Sequence, residues 1–296
     1  MRRRDFLGAS LAALPAAAAG GPTRFQLACM TLPYSPFPFE RALKGIRGAG
    51  YEFVAWGTTH ADSSGKRVPL LDWREPASKA RQLSTICKNE GLTPVMMFTM
   101  VNLEAAEGPE AHAHRIEQAA EAGIPFVLTF GKTERGLYEN AIKTLKHAGA
   151  VARKAGPLVV VKQHGGNTAT GADISKILAD VSDEGVKMCY DAGNVLDYEN
   201  NDPIADIQKC WRDIRAFAIK DHRNWPKDQD CGPGFGEIDH YKLLAPVMNT
   251  GFTMPLAFEN IFEPLAPRPS KPEGVDALAR RAREYVESVL AGLRAT

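Results

Sequence analysis

The sequence predicts a single-domain α/β fold, a (β/α)₈ barrel, and three observations carry that prediction. Short apolar, β-rich runs alternate with helical segments at intervals of roughly 30 to 35 residues, the rhythm of βα units. Six helix-to-strand junctions contain a glycine, in "RGAGYEF", "NEGLTP", "EAGIPF", "KAGPLV", "DEGVKM" and "NTGFTM", and helix C-termini favour that residue. The apolar runs are continuous rather than alternating, which suits strands covered on both faces.

Taken in order, the runs are "FQLACM" from Phe25, "FVAWG" from Phe53, "TPVMMFTM" from Thr93 and "PFVLTF" from Pro125. They continue as "LVVVK" from Leu158, "VKMCYD" from Val186, "AFAIKD" from Ala216 and "MPLAFEN" from Met254. Helical segments are expected over Phe39–Arg47, Ser78–Asn89, Glu110–Glu121 and Glu139–Lys154, then Ala172–Asp183, Pro203–Ile214, Ile238–Asn249 and Val275–Leu293. Eight such units in one chain favour a closed barrel. An open doubly wound sheet is the alternative, and the lack of a Gly-rich phosphate turn after the first strand weighs against it and against a nucleotide cofactor. No Pro-, Gly- or Ser-rich linker divides the chain.

The first residues read as an export leader instead of fold. "MRRRDFLGASLAALPAAAAGG" joins a basic start to an apolar run and ends in small residues suited to a signal peptidase. Arg3 and Arg4 ahead of Asp5, Phe6 and Leu7 resemble a twin-arginine signal; a general secretory signal is the rival. The expected division is a leader over 1–19 and a barrel over 20–296, working in the periplasm. The formal charge of the whole chain is +1, which gives no reason to expect nucleic acid. No later stretch is long and apolar enough for a membrane anchor. The five cysteines include no CxxC pair; Cys29, Cys87, Cys189 and Cys210 read as buried packing.

In such a barrel the site forms where the strands end. The polar residues collected there include Trp56 and His60 after strand two, Asn102 and Glu104 after strand three, and Lys132 after strand four. Strand five gives Lys162, Gln163 and His164, strand six Asp191 and Asn194, strand seven Lys220, Asp221, His222 and Arg223, and strand eight Glu259 and Asn260. Competing readings stand beside these. Asp191, Glu259 and Lys162 also make sense as a salt-bridge ring closing the barrel top. Trp56 either fills the mouth or stacks on a sugar ring. His112, His114 and His147 lie within helical segments and read as surface residues, while His240 reads as capping or surface.

At this point the residues resemble a known group. "YDAGN" at 190–194, the "IKDHRNW … GPGFGEIDH" block at 219–240 and "FEN" at 258–260 are similar to the xylose isomerase-like TIM-barrel superfamily, as is "EQAAEAGIPFVLTFGK". That group includes sugar isomerases, sugar-phosphate and ketose epimerases, inosose dehydratases and AP endonucleases (family 2). The resemblance implies a divalent metal at the C-terminal mouth, held by a glutamate on strand five, an aspartate on strand six, a histidine on strand seven and a glutamate on strand eight. Asp191 and Glu259 match two of these. Lys162 stands where the first glutamate is expected, and Ala218 where the histidine is expected.

A protonated lysine has no lone pair for a metal and repels it. Two outcomes follow. In one, Lys162 sits between Asp191 and Glu259 and fills the cation's place. In the other, a Mn²⁺, Mg²⁺, Co²⁺ or Zn²⁺ ion lies further out on Asp191, Glu259, His164 and His222. His222 lies four residues beyond the usual ligand, roughly 13 Å along an extended strand.

Family chemistry moves a proton next to a carbonyl, which needs a base, an acid and an oxyanion partner. Glu259 is the expected base, with Lys162 or His164 as acid, and a desolvated Lys162 is expected to have a lowered pKa. Trp56, His60, Lys132, Asn194, Lys220 and Arg223 are the expected substrate contacts. The glycines of "HGGNTATG" either admit a sugar or phosphate to the backbone or merely turn the chain. The function expected is an exported sugar isomerase or epimerase, or a lyase or hydratase on an oxidised sugar. A sugar-binding barrel without catalysis is the alternative, and a DNA-repair endonuclease is disfavoured by charge and leader. The expected partner is a small sugar or sugar derivative.

Overall fold

The computed structural model describes residues 20–295. The expected leader over 1–19 lies outside the described residues. Eight parallel strands close a barrel: β1 (Arg24–Met30), β2 (Phe53–Trp56), β5 (Thr93–Phe98), β6 (Phe126–Thr129), β7 (Leu158–Lys162), β8 (Val186–Tyr190), β9 (Ile214–Ile219) and β12 (Thr253–Phe258). The last strand pairs with the first, Arg24 opposite Thr253 through Cys29 opposite Phe258. Two antiparallel hairpins stand outside the barrel, β3 (Thr59–Ala61) with β4 (Arg67–Pro69) and β10 (Asp221–Arg223) with β11 (Gln229–Cys231). Both are polar, so no apolar run announces them.

The helices are α1 (Phe39–Gly48), α2 (Ala77–Asn89), α3 (Gly108–Ala122), α4 (Tyr138–Ala155), α5 (Gly171–Val181), α6 (Ala192–Glu199), α7 (Pro203–Cys210), α8 (His240–Leu244) and α9 (Pro272–Arg294). Among these described residues, no helix is long and apolar enough to cross a membrane. Helix α6 was not expected; Asp191 starts it by accepting a hydrogen bond from Asn194 N at 3.0 Å, an N-cap. The expected Pro203–Ile214 helix stops at Cys210, because Ile214 pairs with Met188 as the first residue of β9. The expected Ile238–Asn249 helix is short too. Pro246 stands in a 3₁₀ turn over Ala245–Val247, where its missing N–H ends α-helical bonding.

Side chains alternate along a strand, and that alternation divides the core in two. The larger cluster, with Val54, Trp56, Val161, Phe217 and Phe258, lies between strands and helices. The smaller one fills the barrel with Met30, Ala55, Met96, Val160, Cys189 and Ala257 and their neighbours. Its bulk is uneven: Met30, Met96, Phe98 and Phe126 contrast with Cys189, Ala216, Ala218 and Ala257 on strands β8, β9 and β12. The small side chains leave room for the stems of long residues above them.

Two histidines differ from expectation. His112 is fully buried, its Nδ1 2.7 Å from Gly108 O and its Nε2 2.7 Å from Thr129 Oγ1; α3 turns it toward β6. His240 is buried under α9, with Nε2 3.2 Å from Lys220 O. All five cysteines are buried and unpaired.

Candidate functional site

Two residues beyond the last apolar inward position, four consecutive barrel strands turn polar. Val160 is followed by Lys162, Cys189 by Asp191, Ala218 by Lys220 and Ala257 by Glu259. The period of two therefore aims two ammonium groups and two carboxylates at the barrel axis. The backbone N–H of Glu259 donates to Ile219 O at 2.8 Å, which carries the β9–β12 ladder up to this layer.

Lys162 is the centre. Its Nζ lies 2.8 Å from Glu259 Oε1, 2.7 Å from Glu259 Oε2 and 3.0 Å from Asp191 Oδ2. The side chains of Lys162 and Asp191 are 3% and 0% exposed, whereas Glu259 keeps 19% open to the mouth. Asp191 Oδ1 is occupied by the α6 cap, and buried Oδ2 has no partner in hydrogen-bond geometry despite the nearby ammonium. The salt-bridge ring is therefore present.

The charges answer one another. Burial opposes the charge on Lys162, but Glu259 and Asp191 outweigh it and raise its pKa. The lowered lysine pKa expected from desolvation is thus overturned, because two carboxylates share its burial. Burial likewise opposes the Glu259 carboxylate, yet Lys162 and Lys220 hold its pKa below the usual range. For Asp191 burial wins, and its pKa is raised although both lysines pull it down.

Lys220 is 5% exposed at the side chain and pairs with Asp230 Oδ2 at 2.7 Å and with Asn194 Oδ1. Asp230 Oδ1 in turn lies 3.1 Å from His222 Nδ1, across the register that sets His222 opposite Asp230 in the β10–β11 hairpin. The amide of Asn194 also donates to Gln163 O at 2.6 Å, and Gln163 Oε1 accepts from Asp191 N at 2.8 Å. Gln163 thereby staples the end of β7 to the start of α6. Asp221 is committed to backbone: it accepts from the N–H groups of His222, Gly234, Gly236 and Ile238 at 2.9 to 3.1 Å.

His164 stands at the mouth on another wall. Its Nδ1 is 2.9 Å from Gly131 O, its ring packs 4.4 Å from Phe130, and Tyr198 meets its edge at 5.5 Å. A carbonyl partner fixes the proton on Nδ1 and leaves Nε2 as an acceptor. Burial first, then Lys162, lowers its pKa. Neutral His164 thus suits accepting a proton better than the acid role expected of it. Gly166 explains part of the glycine pair. At φ +54, a Cβ there would stand 2.3 Å from Lys132 O and 2.7 Å from Glu134 O. This glycine admits a neighbouring loop's backbone rather than a ligand.

The other expected contacts scatter. Trp56 faces the helix layer, with Nε1 3.3 Å from Cys87 Sγ and its ring edge-on to Phe39. Its alternation with inward-facing Ala55 turns it away from the mouth. His60 is buried, between Phe37 O at 3.1 Å and Thr31 Oγ1 at 2.9 Å. Lys132 is exposed at the rim, and Arg223 Nε bonds Trp225 O at 2.9 Å. Glu104 is buried and ties Lys132 N (2.9 Å) to Asn167 Nδ2 (3.2 Å), joining two mouth loops.

Asp191, Glu259, His164 and His222 do not converge on one point as a ligand set. Among the described residues, Asp197, His222 and Asp228 do, with ligand atoms within 4.8 Å of one another. These acids, with Asp230, Tyr198 and Phe130, were missed by sequence reasoning. The three aspartates act through a hairpin and a helix that had not been read, and the two aromatics are not polar strand ends. The available signal was the polar "HRNWPKDQD" run, whose central proline marks a turn. At the barrel axis the implied metal does not fit. Its expected ligands Asp191 and Glu259 already close on an ammonium at 2.7 to 3.0 Å.

A profile of the xylose isomerase-like TIM barrel matches residues 43–285. No curated protein matches the chain. Among solved structures, a xylose isomerase-like TIM barrel protein from Mycobacterium smegmatis, in complex with magnesium, superposes with a TM-score of 0.71 at 16% identity. The match covers 90% of this chain and 97% of that one. An L-ribulose 3-epimerase gives 0.70 at 16% identity, over 91% and 95%. A D-allulose 3-epimerase from Methylomonas sp., in complex with D-allulose, gives 0.66 at 13% identity, over 92% and 99%. At these identities the structures speak for the fold, while the profile spans most of the chain: the protein belongs to the xylose isomerase-like TIM-barrel family.

Proposed function

We propose that this protein is a sugar isomerase or epimerase that moves a proton next to a carbonyl, with Glu259 as the base and the Lys162 ammonium as the oxyanion partner. The observation that carries this reading is the contact between Lys162 and a carboxylate still open to the barrel mouth. A ketose or keto-glycoside entering there places its carbonyl oxygen against Nζ and the adjacent C–H against Glu259. As the proton moves to Glu259, negative charge passes from the carboxylate to the enolate oxygen, and Lys162 exchanges one anionic partner for the other. That charge is stabilised inside a site already shaped for it, which is the larger part of such catalysis. Glu259 is held weakly basic by Lys162; losing that partner to the substrate oxygen strengthens it as the bond breaks.

Epimerases among structures of the same fold support the substrate class. The leader motif adds an exported protein acting in the periplasm, where unphosphorylated sugars are the available substrates. The test is deuterium uptake from D₂O into a panel of ketoses and 3-keto-glycosides, read by mass spectrometry. Uptake that disappears in Glu259→Gln supports the proposal. Binding of a sugar without any exchange favours the alternative, a sugar-binding barrel whose ion pairs are purely structural.

A further inference from the structure

We infer that Lys162 replaces both the strand-five ligand and the divalent cation of the family's site, so that the barrel axis runs on a built-in ammonium. This deepens the proposed function, but its test reads metal binding and not turnover. The charge count is the first support. A glutamate together with a dication carries the same net charge as one lysine, so the exchange leaves the net charge of the layer around Asp191 and Glu259 unchanged.

Geometry is the second. Nζ makes two hydrogen bonds to Glu259 at 2.7 and 2.8 Å and an ion-pair contact with Asp191 at 3.0 Å, the spacing of an ammonium beside carboxylates and longer than the roughly 2.0 to 2.6 Å of Mg²⁺ or Ca²⁺ to oxygen. Asp191 Oδ2, buried and without a hydrogen bond, faces the Lys162 ammonium at 3.0 Å. The third support is exclusion: a dication placed on Asp191 and Glu259 would meet the Lys162 ammonium in a nearly closed layer, where charge is screened little.

The experiment titrates Mn²⁺ into the protein and follows bound ion by electron paramagnetic resonance. A His222→Ala background removes the separate cluster with Asp197 and Asp228. With Lys162 intact, no tight Mn²⁺ is expected. Lys162→Glu is expected to create a single tight site, lost again when Glu259→Gln is added. Mn²⁺ held by the Lys162-bearing protein and lost in Asp191→Asn would overturn the inference. So would a folded Lys162→Glu protein, checked by circular dichroism, that holds none. Should Lys162→Glu not fold, the titration of the Lys162-bearing protein with and without Asp191→Asn decides alone. Absence of turnover on every sugar leaves these readings intact, so failure of the functional proposal is distinguishable.

Discussion

Asp191 Oδ2 lies 3.0 Å from Lys162 Nζ yet takes no hydrogen bond from it, whereas Glu259 takes both of its short contacts at 2.7 and 2.8 Å. One lysine thus has two unequal partners. Burial raises the Asp191 pKa above the ordinary 3.8, while the lysines outweigh burial at Glu259 and lower it. Ionised Glu259 therefore stabilises the fold above the unfolded carboxyl pKa and loses that contribution as pH falls through its folded value. Asp191 has the opposite sign: the fold binds its proton more tightly than the unfolded chain does. On acidification an infrared carboxyl band is expected from Asp191 first, absent in Asp191→Asn. At neutral pH Glu259→Gln is expected to cost about 2 kcal/mol in urea unfolding. That lies below the range for a fully buried pair, because Glu259 is partly open and Asp191 still faces Lys162. Asp191→Asn, which keeps a capping oxygen for Asn194 N, is expected to cost less.

Asp230 couples the two sides of the mouth, bonding Lys220 with one oxygen and His222 with the other. Burial opposes a charged His222, but Asp230 and the nearby Asp197 and Asp228 outweigh it and raise its pKa above 6.5. Asp230→Asn keeps an acceptor and removes the charge, so the His222 titration is expected to move downward. Proton NMR of the imidazole ring checks this; an unchanged midpoint would mean that Asp197 and Asp228 set it.

His112 gives the fold a pH limit. Burial pushes its pKa down from 6.5 to about 4, so it stays neutral while the unfolded chain takes up a proton. Stability linked to this group is fully present above about pH 6.5 and is lost as pH falls toward 4, by about 3 kcal/mol in all. Denaturant unfolding measured from pH 7 to 4 is expected to show that slope, flattened in His112→Gln.

Trp56 separates packing from recognition. Buried against Phe39 and bonded to Cys87, it is expected to cost about 3 to 5 kcal/mol as Trp56→Ala, through the cavity left behind. Trp56→Phe is expected to fold and to leave sugar binding unchanged in calorimetry. A binding loss in that variant would place the indole at the site after all.

Much of the barrel was legible because its signals are local. "LVVVK" became β7 with the bounds read from it, and Lys162 and Glu259 were recognised at strand ends because the apolar runs stop there. What failed was long-range or polar. The β10–β11 hairpin has no apolar run, so the partnership of His222 with Asp230 and the convergence with Asp197 and Asp228 went unseen. His112 looked like a surface residue because a helix pattern does not say which polar residue meets a buried threonine.

By itself, the sequence determined the eightfold rhythm and the polar residues at the strand ends, since these depend on residue type and spacing; the two departures from the family's ligand pattern came from the resemblance. Only the tertiary structure decided what Lys162 touches. Strand β12 lies far along the chain from β7 and β8, and barrel closure brings the Glu259 and Asp191 carboxylates to within 3.0 Å of the Lys162 ammonium. In that enclosed layer two carboxylates overcome the desolvation that would have neutralised a lone lysine.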